Sequence, residues 1–151
     1  MLYFWMRRMF KIIFGALSSL IIAGCATTPL PSSQAKAAPV ERVLAFQEKS
    51  EVKNATLVLT RDEGFLGSAC YYGFWIDSIL SARLGVGETA SFFVEPGERL
   101  LRVTRDPQGK GLCGDLGSQM VQRESMFRAN ERKQYRLMLD PNGGMDVQRW
   151  E

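Results

Sequence analysis

The sequence of 151 residues contains no histidine. That absence removes the side chain whose ordinary pKa lies nearest neutrality, and with it Ser-His-Asp and Cys-His triads and most zinc sites. Cysteine is scarce, with three in the chain, and none of them is spaced C-x-x-C for redox work. No run of about 20 predominantly apolar residues occurs, so the chain lacks a comfortable spanning helix. The alternation of strands with long helices that marks a parallel α/β sheet is missing as well. Even the positive charge is nominal, because Arg7, Arg8 and Lys11 account for the whole formal excess of +3. From Cys25 onward the chain is formally neutral, and nothing in its charge invites nucleic acid.

The amino-terminal segment is strongly patterned. Arg7, Arg8 and Lys11 precede an apolar stretch from Ile12 to Ala23, which ends in the small residues Ala23-Gly24 before Cys25. A basic start, a short apolar core and small residues at its end describe a secretory signal. Gly15, Ser18 and Ser19 interrupt the apolar stretch, and because Arg7, Arg8 and Lys11 cut Leu2-Tyr3-Phe4-Trp5 off from it, Met1 and Met6 both stand as candidate starts. Ile22-Ala23-Gly24-Cys25 resembles the lipobox of bacterial lipoproteins. The resemblance implies a diacylglyceryl thioether on Cys25, cleavage before it, and acylation of the new amino terminus by a chain such as palmitate. An ordinary cleaved signal and an uncleaved anchor are the competing readings. Ala26 stands where lipoproteins kept in the inner membrane carry Asp, so the same resemblance implies an outer-membrane anchor facing the periplasm.

With Cys25 assigned to lipid, Cys70 and Cys113 remain as an even pair in an oxidising compartment, and a structural disulfide is expected. A redox pair and a metal site are the alternatives. The chain divides into a signal peptide over 1–24, the lipidated Cys25 with a flexible linker and short helix over 25–50, and a β-sandwich domain over 51–151. Pro29, Pro31, Ser32, Ser33 and Pro39 sit in a stretch without periodicity, which reads as a tether. Fully extended, that tether would reach roughly 45 to 50 Å, enough to hold the domain off a membrane. Val40, Val43 and Leu44 lie at helical spacing, which suggests the short helix.

The remainder reads as mainly β. Strands are expected over 55–61, 71–76, 79–84, 89–94, 100–104, 120–127, 134–139 and 145–150, separated by turn signals such as Asp77-Ser78, Glu95-Pro96-Gly97-Glu98 and Asp140-Pro141-Asn142-Gly143-Gly144. Seven to eight short strands at this spacing predict a small antiparallel β-sandwich or barrel. Tyr71, Trp75 and Phe93 are assigned to its core, with an interface as the alternative for any of them that is exposed.

The residues Tyr72-x-x-Trp75-Ile76-Asp77, followed by Gly87-Glu88-x-x-x-Phe92-x-x-x-Pro96-Gly97-Glu98-x-x-Leu101-x-Val103, resemble a family of bacterial lipoprotein domains of unknown function. That family is similar in style to PEGA-type β-sandwich domains, which carry a Pro-Gly turn before a strand. The resemblance spans about Thr56 to Thr104. Two positions depart from it: Arg99 stands where many members have His, and Ser78 where a hairpin Gly is common.

Motifs with chemical meaning are few. Gly109-Lys110-Gly111-Leu112-Cys113-Gly114 matches G-x-G-x-x-G, but no helix pattern follows to receive a pyrophosphate, so a loop pinned by a disulfide is expected instead. The carboxylate pairs Asp62/Glu63, Glu95/Glu98 and Asp140/Asp146 all lie in or near turns, where acidic residues serve local hydrogen bonding. Arg61, Arg102, Arg105, Arg123, Arg128 and Arg136 recur on or beside strands and read as a solvated charged face. The sharper reading is a clamp for an anionic partner, such as a peptidoglycan stem carboxylate or an acidic protein surface, with Arg105 and Asp106 as its residues. No catalytic, cofactor or metal residue is assigned. The expected role is a non-catalytic binding or structural module of the cell envelope, with an envelope protein or peptidoglycan as partner. The alternatives are a small-ligand or inhibitor-type lipoprotein and a carboxylate-based envelope hydrolase.

Overall fold

The computed structural model describes residues 27–114 and 120–150. Cys25, with the signal segment before it, lies outside the described residues. The described residues form nine strands, β1 (Lys36–Ala37), β2 (Ala55–Arg61), β3 (Tyr72–Ile76), β4 (Ile79–Leu84), β5 (Glu88–Val94), β6 (Gly97–Arg105), β7 (Val121–Phe127), β8 (Arg132–Leu139) and β9 (Met145–Trp150). They make two sheets, one ordered β1-β5-β2-β8-β9 and the other β4-β3-β6-β7. The fold is a small β-sandwich. Two of the pairings are parallel, β1 with β5 and β2 with β8, so the first sheet is mixed.

Alternation along each strand sets the core. Leu57 and Leu59 of β2, Phe92 and Val94 of β5, and Leu137 and Leu139 of β8 point inward from the first sheet. Phe74 and Ile76 of β3, Leu84 of β4, and Leu101 and Val103 of β6 meet them from the second. Burying each such side chain stabilises the fold by about 1.5 to 3 kcal/mol. The Phe74 and Phe92 rings join the sheets with centroids 5.4 Å apart. Of the aromatics assigned to the core from sequence, Trp75 and Phe93 are half-buried and Tyr71 is exposed. Their neighbours Phe74, Phe92 and Tyr72 occupy the inner face instead, because strand phase turns successive side chains to opposite faces.

Turn chemistry follows the sequence closely. Asp77 adopts φ 56° in the β3–β4 turn and its Oδ1 accepts the Leu100 N–H at 3.0 Å. Arg99, at the position where the resembling family often has His, donates to Asp77 Oδ2 at 3.0 Å. Gly97 takes φ +120° after Pro96, a conformation that side-chain-bearing residues rarely adopt.

The stretch expected to be a free tether is bound to the domain. Thr27 donates its N–H to Leu139 O at 3.1 Å, and Thr28 forms an antiparallel bridge with Glu63. Leu30 is buried, and Ser32 donates to Gln134 Oε1 at 2.7 Å on the outer face of the first sheet. β1 then pairs with the edge strand β5, and Val43 bridges to β4, the edge of the other sheet. The expected short helix is one 3-10 turn, Val40–Arg42, followed by extended chain. Composition hid this strap because its hold is backbone pairing plus scattered apolar, hydrogen-bond and ionic contacts, none of which needs periodicity. It crosses from one sheet to the other and closes the β4–β5 side of the sandwich.

Candidate functional site

The opposite side is open. Among the described residues, β7 pairs with β6 alone and β9 with β8 alone, so the two sheets present adjacent edge strands there. Between them lies a groove of about 570 Å³, lined by Arg123, Ser125, Lys133, Tyr135, Asp146 and Arg149 among others. Its floor is hydroxylic. Ser125 Oγ and Tyr135 Oη are buried and hydrogen-bonded to each other, and the Tyr135 ring packs on Phe127 with centroids 6.4 Å apart. Lys133 lies 5.1 Å from the centre of the Phe127 ring and donates to Met126 O. Across the mouth, Arg123 of β7 pairs with Asp146 of β9 at 3.0 Å. Arg149 is exposed beside it.

These features suit recognition of an extended chain. An edge strand offers unpaired N–H and C=O groups to a partner strand, and guanidinium groups at the rim favour carboxylates. They suit nucleophilic catalysis poorly, since Ser125 contacts Tyr135 and no carboxylate or amine among the described residues accepts its proton.

Arg105 and Asp106, the residues assigned to a partner clamp, are separated by the structure. Asp106 turns inward, 2% exposed, and its carboxylate receives Arg83 Nε at 2.7 Å and Nη2 at 2.6 Å. Burial pushes this carboxyl up, but the Arg83 hydrogen bonds and the Gln108 N–H outweigh it and hold it below the ordinary aspartate range. Arg105 faces the other way. It donates to Leu112 O at 2.9 Å and lines a separate cleft of about 390 Å³ with Tyr72, Asp140 and Asn142. Asp106 is taken up by Arg83 and Arg105 by the Leu112 carbonyl, so the structure does not bring the two side chains together.

The arginines are not one solvated face either. Arg61 is 1% exposed and is the largest fully buried side chain among the described residues. Its guanidinium donates to three carbonyls, Cys70 O at 2.6 Å, Leu84 O at 2.8 Å and Gly67 O at 2.8 Å, and stacks on the Tyr72 ring at 4.3 Å. Burial lowers it to about 10, which leaves it charged at neutral pH. Arg136 pairs with the fully buried Asp62 and lies over the Trp150 ring. Tyr71, outside the core, is flanked by the guanidiniums of Arg42 at 4.3 Å and Arg83 at 5.5 Å.

Cys70 and Cys113 form a disulfide, which ties the β2–β3 loop to the β6–β7 loop. The G-x-G-x-x-G stretch closes on itself there. A Cβ on Gly109 would fall 2.2 Å from Cys113 O, so glycine is required by close packing, and the following 3-10 turn Gly111–Cys113 is too short to hold a phosphate. The paired carboxylates do not converge. Asp140 accepts the N–H groups of Asn142 and Gly144 in its own turn, Asp146 faces Arg123, and Glu63 is exposed. No cluster of three or more metal-ligating side chains occurs among the described residues.

The groove residues Ser125 and Tyr135 drew no attention in the sequence. The one sequence signal near them is the polar run Gln122-Arg123-Glu124, which the structure places exposed on the edge strand β7. No protein-family model and no curated protein matches the chain.

Proposed function

We propose that the protein is a lipid-anchored lipoprotein of the bacterial cell envelope, held by Cys25 in the outer membrane and facing the periplasm. Its sandwich is a non-catalytic binding or structural accessory module. The observation that carries the binding role is the asymmetry of the fold: the strap closes the β4–β5 side, while β7 and β9 leave a groove on the other. An extended envelope peptide, from a protein or a peptidoglycan stem, fits that groove, with a carboxylate meeting Arg149 or displacing Asp146 from Arg123. The hydrolase reading finds no support at Glu88 and Asp106, two of the buried acids. Glu88 and Asp106 are held below the ordinary carboxylate range, opposite to the raised value a general acid requires.

In-cell photocrosslinking from a probe at Gln148, on the rim of the groove, tests the proposal. Envelope components captured from the anchored protein and lost in the Cys25→Ser control support it. Capture unchanged by Arg149→Glu and Arg123→Glu would remove the groove from the reading.

A further inference from the structure

The sandwich has two ends, and the chain enters at one of them. β2 runs toward Arg61, β6 toward Arg105 and β8 toward Leu139, and these termini register with the starts of β3, β7 and β9. The loops 62–71, 106–114 and 140–144 therefore share that end, and so does Thr27. Hydrogen bonds dock the strap there: Thr27 N–H to Leu139 O, Leu139 N–H to Thr27 Oγ1 at 3.1 Å, Thr27 Oγ1 to Asp62 Oδ2 at 3.2 Å and to Leu139 O at 3.3 Å, and the reciprocal Thr28–Glu63 backbone pair at 2.7 and 3.1 Å.

Cys25 precedes Thr27 by two residues. Two residues span at most about 7 Å. A lipid on Cys25 thus brings this end, and no other, to the membrane surface. The same end carries the two most exposed large apolar side chains of the described residues, Phe65 at 95% and Leu112 at 84%. Phe65 follows Gly64, which packs so tightly on Thr27 that a Cβ there would lie 3.1 Å from Thr27 Cγ2. Leu112 precedes Cys113, whose disulfide fixes its loop to the Phe65 loop, and Lys110 is exposed close by. Water offers no reason to hold a phenylalanine and a leucine outward on covalently joined tips. A bilayer interface does, since it buries apolar rings and lets lysine reach the headgroups.

We infer that Phe65 and Leu112 form a lipid-contacting tip that seats the sandwich on the bilayer holding the Cys25 acyl chains. The acyl chains retain the protein, and the tip fixes its orientation, so the β7–β9 groove opens sideways along the membrane. The inference rests on the lipoprotein reading of Cys25.

The test uses full-length protein extracted from membranes, its intact mass recorded, and reconstituted in phosphatidylethanolamine/phosphatidylglycerol vesicles containing brominated lipid. Phe65→Trp supplies the probe, and Val52→Trp, in the loop before β2 at the opposite end, supplies the reference. The expected result is bromine quenching of the added tryptophan at 65 several-fold stronger than at 52, with weak quenching by aqueous acrylamide. Acylated protein whose residue-65 probe is open to acrylamide and unquenched by bromine overturns the tip alone. Protection from acrylamide without bromine quenching means a second copy covers the tip, which also overturns it. A mass without acyl groups overturns the anchor and the tip together. Leu112→Ser, which leaves the core intact, is expected to weaken bromine quenching at 65; no change would remove Leu112 from the tip.

Discussion

Arg42 of the strap and Glu88 of β5 form a two-pronged ion pair, with Nη1–Oε2 at 2.6 Å and Nη2–Oε1 at 2.5 Å, while the Gly85 N–H donates to Oε2 at 2.7 Å. Both side chains are only 11% exposed. The pair therefore fastens the amino-terminal segment to the sandwich from a partly desolvated position. Truncating the cation leaves a carboxylate with no charge to meet it, a loss of about 3 kcal/mol. Arg42→Ala is expected to lower stability by that order in urea unfolding and to speed amide exchange at Lys36 and Ala38, which bond to Gly87 and Thr89. Unchanged exchange there would show that the strap is held without the ion pair.

Acid should act through the same residues. Burial raises the Glu88 carboxyl, but Arg42 and the Gly85 N–H outweigh it and lower it overall, as Arg83 does for Asp106. A carboxylate with a depressed folded-state pKa contributes stability above its unfolded value, about 4, and loses it as pH falls through the folded value. Stability is expected to hold from neutrality to about pH 5 and to fall below about pH 4. Glu88→Gln should lower stability at neutral pH and flatten the acid limb. An acid limb of unchanged slope in both Glu88→Gln and Asp106→Asn would contradict this assignment.

Arg61 makes a separate demand. Its guanidinium satisfies three carbonyls, two from the β2–β3 loop and one from β4, so removal leaves those acceptors buried and unpaired. Arg61→Ala is expected to cost about 3 kcal/mol or more. Arg61→Lys should recover little, because one ammonium cannot reproduce a planar fork. Full recovery by lysine in a denaturation series would show that charge alone is needed.

The disulfide closes a loop with a sequence separation of 43. Replacing both Cys70 and Cys113 by Ala is expected to lower stability by roughly 3 to 4 kcal/mol through the unfolded chain. Faster exchange should be confined to the joined loops and leave β2 and β5 protected. Uniform loss of protection would mean that the bridge supports the whole core.

Local pattern made the strands legible. Leu57 and Leu59 alternate, Pro96-Gly97 marks a turn, and Asp140 to Gly144 marks the last hairpin, so eight strands could be placed within a few residues from sequence. Three things were not legible. The Thr27 to Val43 strap binds through backbone groups that every sequence possesses. Arg61 looks like any arginine on a strand, and only the convergence of the Gly67, Cys70 and Leu84 carbonyls makes its burial tolerable. Ser125 and Tyr135 become groove neighbours through the approach of two sheets, a relation set by packing and not by spacing. The disulfide was legible because, with Cys25 set aside by its lipobox-like context, Cys70 and Cys113 have only each other to pair with.

The intact mass of the protein extracted from membranes without reductant tests the central claim most directly. The account expects a chain beginning at Cys25, heavier by the diacylglyceryl and amino-terminal acyl groups and lighter by two hydrogens for the Cys70–Cys113 bridge. A chain that keeps the residues before Cys25, or begins there without acyl groups, would contradict it.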